Sequence, residues 1–371
     1  MDAGELSGWL RLALAPRLGG TAARRLLAAF GLPQQVLDAP DAELSHLLSP
    51  AQLTALREPS EALDAQATAC AAWLAADPAR RRVLSLADAT YPPALLHTAD
   101  PPLLLWVAGE QPDAPWPEAI AVVGSRNPTP QGQDHARQFA RSFAQAGWCV
   151  VSGLALGIDA AAHEGALEGA GSDLPCATIA VVGTGLDRVY PRAHLDLARR
   201  IAARGRLVGE YPLGTPPLPA NFPRRNRLIA ALSGGTLVVE AALRSGSLVT
   251  ARCASEQGRE VFAIPGSIHS PLSRGCHALI RQGATLVENA QDVLGELAPQ
   301  RCAPDPVAAD PHEPPEDGLL EALGFDPASL DALTARTGLP TPQLQARLLE
   351  LELQGAVVRL AGGLFQRAAA A

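Results

Sequence analysis

Three arginines lie within four residues of one another, directly after an aromatic residue: Phe222, Arg224, Arg225 and Arg227. The apolar pattern that follows predicts a helix, so the arginines would occupy its first turn, where the macrodipole favours acidic groups. If the arginines were only an ordinary solvent-exposed charged segment, their position at this end of the helix and beside an aromatic ring would have no explanation. Arginines that hold phosphates, next to a ring on which a base can stack, account for both features. The segment, with Asn226 between its last two arginines, is therefore a candidate nucleic-acid contact.

Glycine and serine residues follow two predicted strands and add candidate anion contacts. One group ends the apolar run 120–123, and the other lies in a turn that opens a helix. Backbone amides freed by glycine, serine hydroxyls and an arginine fork converge on an anion such as phosphate when they lie beyond the carboxyl ends of parallel strands. The residues concerned are Gly124, Ser125, Arg126, Ser245, Gly246 and Ser247.

Two further glycine-rich segments, 152–159 and 183–188, do not have the form of a dinucleotide site. The second has Arg188 where the dinucleotide fingerprint needs glycine for close packing. Asp159 and His163 are interpreted as a helix cap and a local hydrogen-bonding partner, because no nucleophile neighbours them in sequence. We therefore expect no cofactor and no catalytic residues.

The composition narrows the function further. All 30 basic residues are arginine and the formal net charge is −8, so a nucleic-acid site must be a local concentration of arginine. The lack of lysine excludes a GxxxxGK phosphate loop and a lysine base or Schiff base. The six cysteines are scattered without zinc-site spacing, so no metal is expected. No leader pattern and no apolar run of the ~18 residues that a membrane span needs is present, which predicts a cytoplasmic protein.

The elements that would position these residues change in type along the chain. Residues 1–75 have apolar residues at helical spacing interrupted by proline, which predicts a small helical domain similar to a SAM or helix-hairpin-helix domain. Residues 82–297 alternate short apolar runs with helical stretches, which predicts an α/β fold, an extended Rossmann-like domain on a parallel sheet. The predicted strands are 83–86, 103–107, 120–123, 149–151, 178–182, 207–209, 236–239, 261–264 and 285–287.

The remaining residues predict a linker and a third domain. Residues 298–317 are rich in proline and acidic residues, as linkers are. Residues 318–371 give the order helix, helix, helix, strand, strand, which predicts a C-terminal winged-helix domain. Its third helix carries Arg347 against Glu350 and Glu352, so phosphates would repel it as much as attract it. We therefore predict that this domain contacts protein and not DNA.

Between residues 91 and 297 the chain resembles the DNA-processing protein A (DprA/Smf) family. The strings that carry the resemblance are GSR, SGLALGID, GTGLDRVYP, GEYPLG, NFPRRNRLIAALS, VVEAALRSGSLVTA and GREVFAIPGS, in the family's order and spacing. The resemblance implies a protein without enzymatic activity that binds single-stranded DNA and forms a homodimer. It also implies that the protein protects incoming DNA and loads the RecA recombinase during natural transformation.

The family's DNA pocket maps onto residues of this chain by motif. Where family members often have lysine, this chain has arginine, which keeps the charge but restricts phosphate geometry to a planar fork. The mapped residues are Gly124, Ser125, Arg126, Arg192, Phe222, Arg224, Arg225 and Arg227.

One alternative comes from an enzyme class, the nucleotide-binding phosphoribohydrolases of the lysine-decarboxylase-like Rossmann group. The residues Gly234, Gly235 and Thr236 followed by Glu240 resemble that group's signature, although Ser233 stands where its proline belongs. Release of free base from AMP would favour this alternative. A protein-interaction scaffold is the other alternative, and it requires DNA binding to be independent of the arginine cluster.

Overall fold

Short helices precede the first strand, and proline sets several of their starts. The computed structural model describes residues 3–58, 61–298, 318–324, 326–360 and 363–368. Pro33 and Pro50 each stand at the start of a helix, where a missing N–H leaves no hydrogen bond unmade. Ser49 caps one of these helices by accepting from the amide of Gln52. The helices are α1 Ala3–Leu14, α2 Gly19–Phe30, α3 Pro33–Asp38, α4 Asp41–Leu44, α5 Pro50–Arg57 and α6 Glu61–Ala76.

A nine-stranded sheet forms the centre of the molecule in the order β1-β2-β6-β5-β4-β3-β7-β8-β9. All nine strands predicted from the sequence are confirmed, each to within two residues. The central strands β3, β4, β5 and β7 are buried along their whole length because helices cover both faces of the sheet. The strands are β1 Arg81–Ser85, β2 Leu104–Gly109, β3 Ala119–Val123, β4 Cys149–Ser152, β5 Thr178–Val181, β6 Arg206–Gly209, β7 Gly235–Val238, β8 Glu260–Ala263 and β9 Thr285–Leu286.

The sheet is parallel from β6 to β9, but its first two strands differ from the predicted parallel arrangement. Strand β2 runs antiparallel to both β1 and β6, with Trp106 opposite Gly209. A parallel connection needs a crossover element that returns along the sheet. The β1 to β2 connection contains one four-residue helix, α7 Pro93–Leu96. That helix spans only about 6 Å, whereas a five-residue strand is roughly 17 Å long.

Alternate residues of each strand face different layers of helix. In β3, Ala121 packs with helices on one face and Ile120 with helices on the other. The first face is covered by α11 Asn221–Ala231, α12 Ser247–Glu256 and α13 Arg274–Arg281. The second face is covered by α8 Pro130–Gln145, α9 Ile158–Gly169, α10 Leu195–Arg204 and α14 Ala290–Leu297.

The N-terminal helices share a core with the antiparallel end of the sheet. Leu10 and Leu26, both fully buried, belong to the same apolar cluster as Val83 and Trp106 of β1 and β2. The two antiparallel strands therefore serve as the platform on which the helical region packs. Among the residues described, no helix is both long enough and apolar enough to cross a membrane.

The C-terminal region has the predicted winged-helix order, with one extra short strand before its second helix. The predicted linker 298–317 lies outside the described residues except for residue 298. Gln366 donates a side-chain hydrogen bond to Gln131 at the start of α8, which joins this region to the main domain. The elements are α15 Gly318–Leu323, β10 Ala328–Ser329, α16 Leu330–Thr337, α17 Thr341–Leu353, β11 Val357–Leu360 and β12 Leu364–Arg367.

Candidate nucleic-acid interface

The order of the strands creates a crevice at the carboxyl ends of β3 and β7. From β3 the chain adds β4, β5 and β6 on one side of the sheet, and then returns to add β7, β8 and β9 on the other. The helices that follow β3 and β7 lie on opposite faces, which leaves a gap at this switch point, the usual ligand position in open α/β sheets. A cavity of about 510 Å³ fills the gap, with α11 as one wall. We call it the groove.

The groove brings together nine of the twelve predicted site residues, drawn from three separate segments of sequence. The remaining three, Arg192, Arg224 and Arg227, lie outside it. The nine are Gly124, Ser125, Arg126, Phe222, Arg225, Asn226, Ser245, Gly246 and Ser247. Their role in binding DNA stays a prediction.

Two tight turns, one after β3 and one after β7, line opposite sides of the groove. A Cβ on Gly124 would lie 2.7 Å from Ile158 and 3.0 Å from the Glu240 carbonyl oxygen, so only glycine fits there. The Ser125 hydroxyl accepts from the amide of the residue two positions on, at 3.1 Å. On the other side the Ser245 and Ser247 hydroxyls are 2.6 Å apart at the start of the ten-residue helix α12. Such helix starts favour anions.

Aromatic and guanidinium groups form a row along one side of the groove. The Arg126 guanidinium lies over the Phe222 ring, 5.8 Å from its centroid. The ring of Tyr190 contacts Phe222 with 5.5 Å between centroids and a 39° tilt. Tyr190 was not among the predicted site residues, although it belongs to the GTGLDRVYP string and stands two positions before the predicted Arg192.

The three clustered arginines of α11 do not face the groove together, as was expected, because Arg225 lines it whereas Arg224 and Arg227 line a separate cavity beside Glu210. Arg225 is 3% exposed and donates to the carbonyl of Gly153 at 2.8 Å and to that of Val181. Burial lowers the pKa of Arg225 to about 10, partly offset by the Asp159 carboxylate, so the group stays charged at neutral pH. Both of these hydrogen bonds come from Nη1, and they hold the ends of β4 and β5 in place.

Arg227 lies on the other side of α11, away from the groove. Its guanidinium pairs with Glu210, and also with Asp100 at 3.4 Å. Asp100 in turn pairs with Arg24 of α2 at 2.7 Å, so this network joins α11 to the N-terminal helices. The third member of the cluster, Arg224, is exposed. A contact between Arg227 and phosphate would require it to leave two carboxylates.

Four exposed arginines lie in the groove or on the segments beside it. Within the described part of the chain, none of them forms an ion pair. One of them, Arg244, lines the groove and was missed, although it directly precedes the predicted Ser245 turn. On a chain of net charge −8 this is a local concentration of positive charge. The four are Arg126, Arg192, Arg224 and Arg244.

The acidic and imidazole groups near the groove are engaged in structural hydrogen bonds. The Asp159 carboxylate accepts from the amides of Gly153 and Ala155, at 3.1 and 3.2 Å, in the loop before α9. The cap position of α9 is Gly157, so the prediction that Asp159 caps a helix is wrong. His163 is fully buried, and its Nδ1 lies 2.7 Å from the Thr178 hydroxyl. Burial lowers the pKa of His163 to about 3, which keeps the ring neutral near pH 7. This pair does not form an acid and base facing a substrate.

Glu240, the carboxylate on which the enzyme alternative depends, holds Thr129, the cap residue of α8. Its two oxygens accept from the amide and the hydroxyl of Thr129, at 2.9 and 2.6 Å, at the start of α8. Burial raises the pKa of Glu240, an effect that the two hydrogen bonds oppose. Across the residues that the structure covers, no group of three or more His, Cys, Asp and Glu side chains has the arrangement of a metal site.

Comparisons with known proteins match both parts of the chain. The model of the family described as DNA recombination-mediator protein A matches residues 82–298, and that of the DprA winged helix domain matches residues 303–363. Protein Smf of Escherichia coli is 47% identical over 284 residues, which cover 74% of each chain. The DNA processing protein DprA of Streptococcus pneumoniae is 46% identical over 213 residues, which cover 57% of this chain and 73% of the relative.

Two solved structures share the fold. The X-ray structure of the Streptococcus pneumoniae protein matches with a TM-score of 0.63 and 35% identity, over 80% of this chain and 98% of that one. The Helicobacter pylori DNA processing protein A, whose structure concerns its single-stranded DNA binding mode, matches with a TM-score of 0.52 and 32% identity, over 58% of this chain and 95% of that one. The chain therefore belongs to the DNA recombination-mediator protein A family, DprA/Smf.

Proposed function

We propose that this chain binds single-stranded DNA in the groove. The observation that carries the proposal is that Arg126 and Tyr190 both contact Phe222 beside two glycine- and serine-containing turns that line the same groove. Guanidinium groups and amides suit phosphates, and aromatic rings suit unpaired bases. A duplex offers no free base faces to such rings, so single strands are preferred. The Helicobacter pylori relative, with its single-stranded DNA binding mode, supports the same ligand.

The finer activity that we propose is that of a cytoplasmic homodimer, which protects incoming DNA and loads the RecA recombinase onto it during natural transformation. The description of the family as a recombination mediator supports this. The test is RecA-dependent ATP hydrolysis on single strands already coated with a single-strand-binding protein. Addition of the chain should shorten the lag before hydrolysis. An unchanged lag would contradict loading and leave DNA binding itself untouched.

Gel-shift assays with a single strand and its duplex test the binding proposal. The wild type should bind the single strand more tightly, and Arg126→Ala and Arg244→Ala should each weaken binding about tenfold, or roughly 1.4 kcal/mol. Arg281→Ala, which removes an exposed arginine of α13 outside the groove, is the matched control and should bind as the wild type does. Preference for the duplex, or equal binding by all four proteins, would rule out the groove.

We further propose that the chain is a binding protein and not an enzyme. Because both Glu240 oxygens are held by Thr129, the glutamate required by the phosphoribohydrolase alternative would first have to give up the cap of α8. Incubation with AMP should therefore release no adenine. Adenine release that depends on Glu240 would establish the enzyme.

The winged helix is expected to contribute little to this binding. All groove residues precede Leu297, and α17 carries Arg347 paired with Glu350, leaving Glu352 to repel phosphate. Ending the chain near Leu297 should keep single-strand affinity within about threefold, or roughly 0.65 kcal/mol. Fluorescence anisotropy measures the affinity, and circular dichroism checks the fold. If the truncated protein is folded but its single-strand affinity is tenfold or more weaker, the winged helix belongs to the DNA site.

A further inference from the structure

The ring of Phe222, expected to stack on a base, is already flanked on several sides. The Arg126 guanidinium lies over it and Tyr190 packs against it. A Cβ on Gly183 would lie only 3.0 Å from the Phe222 ring, so the backbone of Gly183 also closes on it. Phe222 therefore already has contacts on several sides within the protein, which are those of a supporting side chain.

Tyr190 has the opposite character, because its side chain is exposed while its loop is held firmly. The residue is 48% exposed. Before it, Asp187 accepts from the amide of Gly214 at 2.7 Å. After it, the His194 ring lies 3.0 Å from the carbonyl of Leu154. An exposed aromatic ring on an anchored loop loses little conformational entropy when a partner stacks on it.

The neighbours of Tyr190 indicate which partner that would be. Arg192, exposed and without an ion pair in the described chain, stands two residues further on. On its inner side Tyr190 contacts Phe222, which lines the groove, and so links the groove to Arg192. A base on the ring with its phosphate near the guanidinium is the arrangement that single-strand-binding proteins use. An apolar protein surface would offer no anion to pair with the Arg192 guanidinium.

We infer that Tyr190 is the base-stacking platform of this site, with Phe222 as its support and Arg192 as the phosphate contact of the same nucleotide. The inference rests on the proposed single-strand binding. It extends the path of the strand from the groove over the loop before α10, and it gives a place to Arg192, which lies outside the groove. Tyr190 is then a binding residue that the mapped pocket did not contain.

Replacement of Tyr190 tests the inference by affinity. Tyr190→Leu should weaken binding of an oligothymidylate between about fivefold and 150-fold, the equivalent of the roughly 1 to 3 kcal/mol of one base stack. Tyr190→Phe, which keeps the ring, should stay within about twofold of the wild type. Leu286→Ala on β9, where the side chain is 47% exposed, is the matched control and should not change binding.

A cross-linking experiment on the wild type makes the test independent of any effect on folding. Oligothymidylate containing 5-iodouracil is irradiated with the protein, and the cross-linked peptide is sequenced by mass spectrometry. We expect the adduct on Tyr190. An adduct on Phe222 without one on Tyr190, or unchanged binding by Tyr190→Leu, would overturn the platform while leaving single-strand binding intact. Failure of the wild type to bind the strand at all would instead overturn the proposed function.

Discussion

A tenfold rise in salt concentration should weaken single-strand binding by about a thousandfold. Each phosphate contact on a single strand contributes roughly −0.7 to the slope of log affinity against log salt, so four contacts give about −3. Four of the exposed arginines that form no ion pair within the described residues lie in the groove or on the segments beside it: Arg126, Arg192, Arg224 and Arg244. Because the chain as a whole carries a net charge of −8, these arginines are the source of the attraction. Anisotropy titrations in a chloride series measure the slope.

Variants make the same measurement specific to the groove. Removing two contacts, as in the double variant Arg126→Ala with Arg244→Ala, should reduce the slope to about −1.4. Arg281→Ala should leave it unchanged. If the wild type bound with a slope near zero, the interaction would not be one of arginine with phosphate, and the groove would have to be reinterpreted as an apolar or protein-binding site.

The positions of the strands could be predicted because a strand that is buried on both faces consists mainly of apolar residues. Runs such as Ile120 to Val123 are apolar throughout, since both faces of β3 are covered, and turns of glycine and proline bound them. The direction of a strand does not change its apolar composition, so it could not be predicted in the same way. Both β1 and β2 contain buried apolar residues as the parallel strands do, and only the short α7 between them, with no helix able to cross the sheet, distinguishes their antiparallel pairing.

The site was predicted in outline for a related reason. Residues at the carboxyl ends of parallel strands meet at one edge, so Ser125 and Ser245 could be placed together although 120 residues separate them. The direction of each arginine on α11 could not be predicted, because successive side chains of a helix differ by about 100° and their partners lie far away in sequence. Arg225 meets Gly153 and Val181, which lie 72 and 44 residues earlier.

Single exposed residues gave the weakest signal of all. Tyr190 belongs to no periodic pattern, and only its contact with Phe222 shows that it stands beside the groove. Arg244 was not predicted, because the prediction for that turn rested on the serines and the glycine that follow it. In both cases the residue type was suited to DNA and the missing information was its position in space.

Arg225→Ala should destabilise the protein by about 3 to 5 kcal/mol, a large part of the roughly 5 to 15 kcal/mol that keeps a domain folded. Removing the guanidinium leaves the buried carbonyls of Gly153 and Val181 without its hydrogen bonds. It also leaves the Asp159 carboxylate, which is 8% exposed, without its nearby positive charge. Arg224→Ala, one residue earlier and exposed, should stay within about 0.5 kcal/mol of the wild type. Urea unfolding followed by circular dichroism measures both.

A second substitution shows whether the buried charge is the reason for the loss. Asp159→Asn added to Arg225→Ala removes the uncompensated carboxylate, and so should recover part of the stability that Arg225→Ala loses, although the carbonyls remain without their donor. A phosphate-binding role for Arg225 makes the opposite prediction. In that case Arg225→Ala would unfold at the same urea concentration as the wild type and bind DNA poorly. The buried geometry of Arg225 favours the first outcome, with DNA binding lost only as far as the ends of β4 and β5 shift.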